Sequence, residues 1–375
     1  MPPPRPDPAP AGPSSTTVVR AATVMTPAGP VSDAEVVIDG GLIADVRGAT
    51  GPVPDTVLVP GFVDLQVNGI GTVDVAGATA PDWDQLDHAL LAQGVTTWCP
   101  TIVTAPLDEL EASLAAIADA ARRPGGGRPE IAGAHLEGPF LAVPGAHRRQ
   151  FLRPRVDGAW LASLGSLVKI VTLAPELPGA LDAIAELSDR GVVVALGHSA
   201  GTAETALEGA DAGARLVTHV GNAMGPLHQR APGLVGAALT DERLSVSVIA
   251  DLVHSHPVFV RLAFTSKSAR GVALVTDSVA APPGPTPPRL PNGTLAGSVL
   301  RMDDAVSNVV RRCAVSLPDA LEAAGATPAR LLGLDDRGAI APGRRADVVA
   351  LEPTGDGTPR VASVWVAGVE AWPPP

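Results

Sequence analysis

The chain has no tyrosine and only five tryptophans and five phenylalanines, so aromatics make up 3% of it. A core of this composition must be aliphatic, and the 46% hydrophobic content can supply one. Two cysteines, Cys99 and Cys313, with no C-x-x-C pair, exclude a disulfide framework. They read as buried free thiols of a reducing compartment, the cytoplasm. No apolar run approaches the roughly 20 residues of a membrane helix, so no membrane partner is expected. Positive charge is scarce: 27 Lys and Arg stand against 39 Asp and Glu, a formal charge of −12. That balance argues against nucleic-acid binding, and an anionic substrate would need local cations to hold it. Residues 1–16 are rich in proline and lack the apolar stretch of a secretory signal; they read as a disordered tail.

What is present is a repeated grammar. Eight apolar runs, at 59–68, 94–104, 130–138, 168–176, 191–199, 214–222, 243–251 and 271–277, alternate with helical patterns such as PDWDQLDHALLAQG and PLDELEASLAAIADAARR. Several helices open on Pro or Asp and stop at Gly. This alternation predicts a TIM-like (β/α)₈ barrel over residues 60–340. Short β-branched runs punctuated by Gly, Pro and Asp at 17–59, and again at 341–375, predict a small β-sandwich domain made from both chain ends.

Several runs end in a residue able to do chemistry: Glu137 in IAGAHLEGPF, His198 in GVVVALGHS, His219 in ARLVTH, Asp251 in LSVSVIAD and Asp277 in GVALVTD. A lone polar residue at a strand end is usually unremarkable, and an Asp there is often a helix N-cap. The recurrence is what points to a site, because barrel enzymes place catalytic groups at the C-terminal ends of their strands. One carboxylate and two imidazoles, Glu137, His198 and His219, suit a divalent cation with an open coordination position. Zinc is the expected ion, with iron, cobalt and manganese as alternatives. Asp277 then reads as the base that takes a proton from the attacking water and returns it to the leaving group. A competing pattern is G-x-S-x-G at 197–201, between an apolar strand and a helix, with Ser199 as nucleophile and Asp251 and His254 as triad partners. It leaves Glu137, His219 and Asp277 without roles. Asn222, Ala223 and Arg230 share one loop and could hold a phosphate or form ordinary surface.

The chain also carries, in order, PGFVDLQVNG (60–69), HLEGPF (135–140), VTLAPE (171–176), GHS (197–199), THVGNAM (218–224), RAPG (230–233), VTDS (275–278), GTLAGS (293–298) and PGRRADVV (342–349). In these motifs it resembles the N-acetylglucosamine-6-phosphate deacetylases of the amidohydrolase superfamily. The resemblance implies hydrolysis of an acetamide on an amino sugar phosphate, a small-molecule partner, and a homodimer. It implies Glu137, His198 and His219 as metal ligands and Asp277 as general base and then general acid. Ala146, His147 and His254 would contact the sugar. Asn222, Ala223 and Arg230 would take the phosphate end, and Leu295, Ala296 and Gly297 the acetyl end. Many amidohydrolases carry His-x-His after the first strand and bind two metals. Here Gln66-Val67-Asn68 stands in that place, so one ion per subunit is expected, with Gln66 and Asn68 as second-site or water contacts. The alternatives are an amidohydrolase acting on a different N-acyl sugar or a cyclic amide, and the serine hydrolase built on Ser199.

Overall fold

The computed structural model describes residues 16–282, 286–353 and 359–373. Most of the expected N-terminal tail, and residues 283–285 of the proline-rich segment after Asp277, lie outside them. Eight parallel strands follow in order: Phe62–Val67, Val95–Val103, Ala134–Glu137, Val168–Leu173, Val193–Leu196, Leu216–Val217, Ser245–Ile249 and Val272–Val275. Each pairs with its sequence neighbour, and the two ends of the ladder meet through a parallel bridge between Val67 and Ser278. The result is the expected (β/α)₈ barrel. Its strands are buried along nearly their whole length, which is why they read as continuous apolar runs rather than as alternating ones.

The outer helices form where the sequence signals them. Thr79 and Asp82 close a reciprocal cap on Ala80–Leu91, with Asp82 Oδ2 accepting from both the Thr79 amide, at 2.8 Å, and its hydroxyl. Thr202 caps Ala203–Asp211, and Pro257 opens Pro257–Lys267 at a position that needs no N–H donor. Between these layers lies a core of Val, Leu, Ile and Ala, with Trp98, Phe62 and Phe140 among its few buried aromatics.

The apolar run at Ile131–Phe140, which reads as one strand, is interrupted. Glu130–Ile131 pairs with the second barrel strand at Thr97 and Trp98, and pairing with the fourth strand begins only at Ala134. Gly133 makes the break at φ 148°, where a Cβ would fall 2.2 Å from Lys169 Cγ and 2.6 Å from the Leu167 carbonyl oxygen. Only glycine fits there, and the kink aims His135 and Glu137 into the barrel.

Both chain ends join in one seven-stranded sheet, into which Val348–Pro353 carries the C-terminal strands beside Val57–Pro60. The sheet curls over, so that the Gly41 turn meets Ala367 and Gly368 around a second core containing Val24, Ile38, Leu58 and Trp365. Ionic contacts tie it to the barrel. Buried Arg337 donates to Thr97 Oγ1 at 2.9 Å and Glu130 Oε2 at 3.0 Å, and Arg345 pairs with Glu130 and Asp347.

Within the sheet Glu35 is fully enclosed, yet its carboxylate accepts from Arg47 at 2.9 Å, Arg20 at 3.0 Å and the Thr50 hydroxyl at 3.1 Å. The hydrogen bond from Arg47, then that from the Thr50 amide, outweigh burial and hold its pKa down to about 2. Because the folded value lies below the unfolded one of about 4.3, the stabilisation is complete above that value. It is lost as pH falls toward about 2. Thermal unfolding between pH about 5 and 2 should therefore show a smaller decline in Tm for Glu35→Gln than for wild type. Parallel curves would contradict it.

Candidate metal and catalytic site

The C-terminal ends of the barrel strands surround a cavity of about 440 Å³. Glu137, at the end of the third strand, is part of its wall. Its Oε1 lies 3.1 Å from His198 Nε2 and 3.0 Å from His219 Nε2, and all three side chains are buried. Their ligand atoms lie within 4.8 Å of one another, the spacing of a common cation site.

His198 Nδ1 is 2.9 Å from the Val143 carbonyl oxygen, which can only accept, so Nδ1 carries the proton. In the neutral ring Nε2 is then a lone pair facing a carboxylate oxygen. Two acceptors in contact, buried away from water, need a cation or an added proton between them. The set thus fits a divalent ion, and the Val143 contact is the kind of outer hydrogen bond that fixes the tautomer of a metal-binding histidine. Burial works to raise the Glu137 pKa, but the contacts with His198 and His219 outweigh it and hold the carboxyl well below its ordinary value.

Asp277 closes the other side. Its Oδ1 accepts from Gln66 Nε2 at 3.0 Å and Asn68 Nδ2 at 2.8 Å. The Thr218 hydroxyl donates to Gln66 Oε1 at 3.0 Å, which fixes the orientation of the Gln66 amide. Gln66 and Asn68 therefore meet the aspartate directly. Among the described residues Oδ2 takes no hydrogen bond. Burial, then the charge of Glu137, push the Asp277 pKa up to about 6.

His147 borders the cavity, with Nδ1 2.8 Å from Thr104 Oγ1 and Nε2 3.7 Å from Glu137 Oε2. Burial, reinforced by His198, pushes its pKa down to about 3, so it is neutral across the physiological range. His254 borders the cavity too, its Nδ1 2.7 Å from Asp251 Oδ2. Ala146, Asn222, Ala223, Leu295, Ala296 and Gly297 also line the cavity. Arg230 does not; it is exposed in the loop beyond Asn222. No Lys or Arg lines the cavity among the described residues.

Ser199 is separated from the partners a nucleophile would need. It is buried, its hydroxyl donates to Glu176 Oε2 at 2.7 Å, and the Asp251–His254 pair makes no contact with it. The G-x-S-x-G match is a loop-forming element here.

Sequence reasoning missed Asp74, Thr101, Val103 and Thr294 in the cavity wall and His135 beneath it. His135 spans the barrel from the Leu65 carbonyl to Thr172 Oγ1. Burial holds it neutral, with a pKa of about 4. No local signal separates such a histidine from a ligand two residues away. Positive φ angles at His198 (50°), His219 (28°), Ala223 (50°), Leu252 (64°) and Asp277 (47°) mark the same ring of loops. Outside glycine this conformation is rare, and it clusters at functional sites.

The sequence profile of the amidohydrolase family matches residues 57–371. The N-acetylgalactosamine-6-phosphate deacetylase of Escherichia coli O157:H7 is 36% identical, over 94% of this chain and 98% of its own length. The N-acetylglucosamine-6-phosphate deacetylase of Bos taurus is also 36% identical, over 84% and 83%. A mutant of N-acetyl-D-glucosamine-6-phosphate deacetylase from Mycobacterium smegmatis, solved in complex with N-acetyl-D-glucosamine-6-phosphate, superposes with a TM-score of 0.87 at 30% identity, covering 95% of this chain and 99% of that one.

Proposed function

The chain belongs to the amidohydrolase family, and on that premise we propose that it hydrolyses N-acetylglucosamine-6-phosphate to glucosamine-6-phosphate and acetate. The observation that carries the reading is the buried Glu137–His198–His219 group facing Asp277 across one cavity. Relatives named for this reaction, matched along most of the chain, supply the substrate.

Glu137, His198 and His219 would hold one divalent ion per subunit, and two nitrogen donors with one carboxylate make zinc the first choice over iron, cobalt or manganese. When bound, such an ion polarises a carbonyl and acidifies water. The protein's own residues do the rest. Asp277 takes the proton of the attacking water on Oδ2, while Gln66 and Asn68 hold Oδ1. A C–O bond forms at the acetyl carbon, the C–N bond breaks, and Asp277 returns the proton to the departing amine nitrogen. We assign His147 the tautomer whose Nδ1 accepts from the Thr104 hydroxyl, so that the neutral ring presents Nε2–H to the developing oxyanion. His254, braced by Asp251, meets the sugar, and Leu295, Ala296 and Gly297 enclose the acetyl group. Asn222 and the Ala223 backbone face the phosphate. Its charge calls for a cation, a part we assign to Arg230 of the loop that follows Asn222.

We further propose that the enzyme acts in the cytoplasm, where buried Cys99 and Cys313 stay reduced. No helix among the described residues is long and apolar enough to cross a membrane. We also propose a homodimer, since Leu227, Val253, Val258 and Leu262 leave apolar surface exposed beside the site loops.

A second reading, the C4 epimer N-acetylgalactosamine-6-phosphate, is favoured by the Escherichia coli relative matched over 94% of this chain. Acetate release from both epimers decides between them. We expect the gluco epimer to have the higher kcat/KM and chelation to abolish turnover. The reverse preference would install the second reading, and chelator-resistant turnover would remove the site assignment.

A further inference from the structure

We infer that Glu176 and Ser199 form a clamp that positions His198 for the metal, an inference that rests on the metal reading above. Glu176 follows the fourth barrel strand, in a segment with no part in the chemistry described. Its carboxylate reaches across to the residues just after His198. Oε2 accepts from the Ser199 hydroxyl at 2.7 Å and Oε1 from the Ala200 amide at 2.9 Å. Ser199 Oγ accepts in turn from the Gly201 amide at 3.0 Å, so the turn leaving His198 is closed by three hydrogen bonds.

The turn requires such fastening. His198 has φ 50°, a conformation that an L-residue outside glycine holds only when its surroundings impose it. The neighbouring constraints are steric. A Cβ on Gly197 would lie 2.3 Å from Thr218 Cγ2, and a Cβ on Gly201 would lie 3.1 Å from Ser199 Oγ. From one side the Val143 carbonyl fixes the imidazole's tautomer. From the other, Glu176 fixes the backbone that carries the imidazole. The carboxylate is charged and bidentate, and charge-assisted hydrogen bonds of this kind are about twice as strong as neutral ones. This also accounts for the G-x-S-x-G pattern: the serine is there to be held by a carboxylate, and the glycine leaves room for the contact.

The clamp acts on metal affinity rather than on turnover. Outer hydrogen-bond partners of metal ligands typically contribute about 10- to 100-fold in affinity. Zinc dissociation constants from chelator competition should be weakened by about that factor in Glu176→Ala, and less in Glu176→Gln, which keeps an acceptor for the Ala200 amide. Ser199→Ala should fall between wild type and Glu176→Ala. The visible spectrum of the cobalt(II)-loaded protein should change in Glu176→Ala, because the backbone that carries the imidazole is no longer fastened. A clamp that merely supports the fold would lower Tm and leave affinity and cobalt spectrum unchanged; that result overturns the inference. Should Glu176→Ala fail to fold, wild-type affinity in folded Glu176→Gln and Ser199→Ala overturns it equally. If wild-type protein binds neither zinc nor cobalt, the metal reading and this inference fall together. Metal binding by wild type with unaltered binding in the variants removes the clamp alone.

Discussion

Asp277→Asn should lower kcat by about 10²- to 10⁴-fold, the range over which a positioned acid–base group contributes, with metal content unchanged. The substitution nearly conserves shape. Oδ1 can still accept from Gln66 and Asn68, whose amide donors fix which end of the new side chain faces them. The –NH₂ then occupies the Oδ2 position. It can donate a hydrogen bond to water but cannot remove a proton, so binding survives and proton transfer is lost. The measurement is steady-state kinetics on metal-loaded protein, with metal counted per chain. A rise in KM with kcat unchanged would show that Asp277 binds substrate and does not act as a base. A loss of metal would make it a ligand. Because a bound cation favours the ionised carboxyl, the wild-type base should be active down to at least pH about 6, the value set by burial and Glu137 without a cation.

Glu137→Gln should release the metal and bring turnover to background. Glu137 is the single anionic member of the group, so its removal leaves an ion facing two neutral imidazoles and an amide. The loss of affinity should exceed the about 10- to 100-fold typical of outer partners. The apo fold should survive, because the glutamine amide, unlike a carboxylate, can turn its NH₂ to the His198 Nε2 lone pair. Metal analysis after dialysis, together with far-UV circular dichroism, checks both parts. Retained metal with wild-type affinity would place the ion elsewhere. An unfolded variant would show that the buried carboxylate is needed for the barrel itself.

Much of this protein is legible in its sequence, for local reasons. The eight strands declare themselves because both faces of each are covered, leaving unbroken aliphatic runs. The helices declare themselves through caps such as Thr79–Asp82 and Pro257. Glu137, His198, His219 and Asp277 stand out because barrel geometry brings the C-terminal ends of its strands to one rim, so position along the chain predicts position in space. The family pattern then supplies roles that spacing alone leaves open.

What the sequence could not decide depends on contacts between distant segments. Gln66 and Asn68 read as weak water contacts, yet they lie 2.8–3.0 Å from Asp277, more than 200 residues away, because the first and last strands close the barrel. The G-x-S-x-G pattern leaves Ser199 open as an alternative nucleophile until Glu176, just after the neighbouring strand, is seen to accept its hydroxyl proton. His135 and Glu137 are two residues apart and both buried. They differ only in what faces them: a carbonyl and a hydroxyl in one case, two imidazoles in the other. Chain order sets which residues arrive at the rim, since strand ends follow from local pattern. Which of them bind, brace or react is set by partners that only the closed barrel brings within hydrogen-bonding distance.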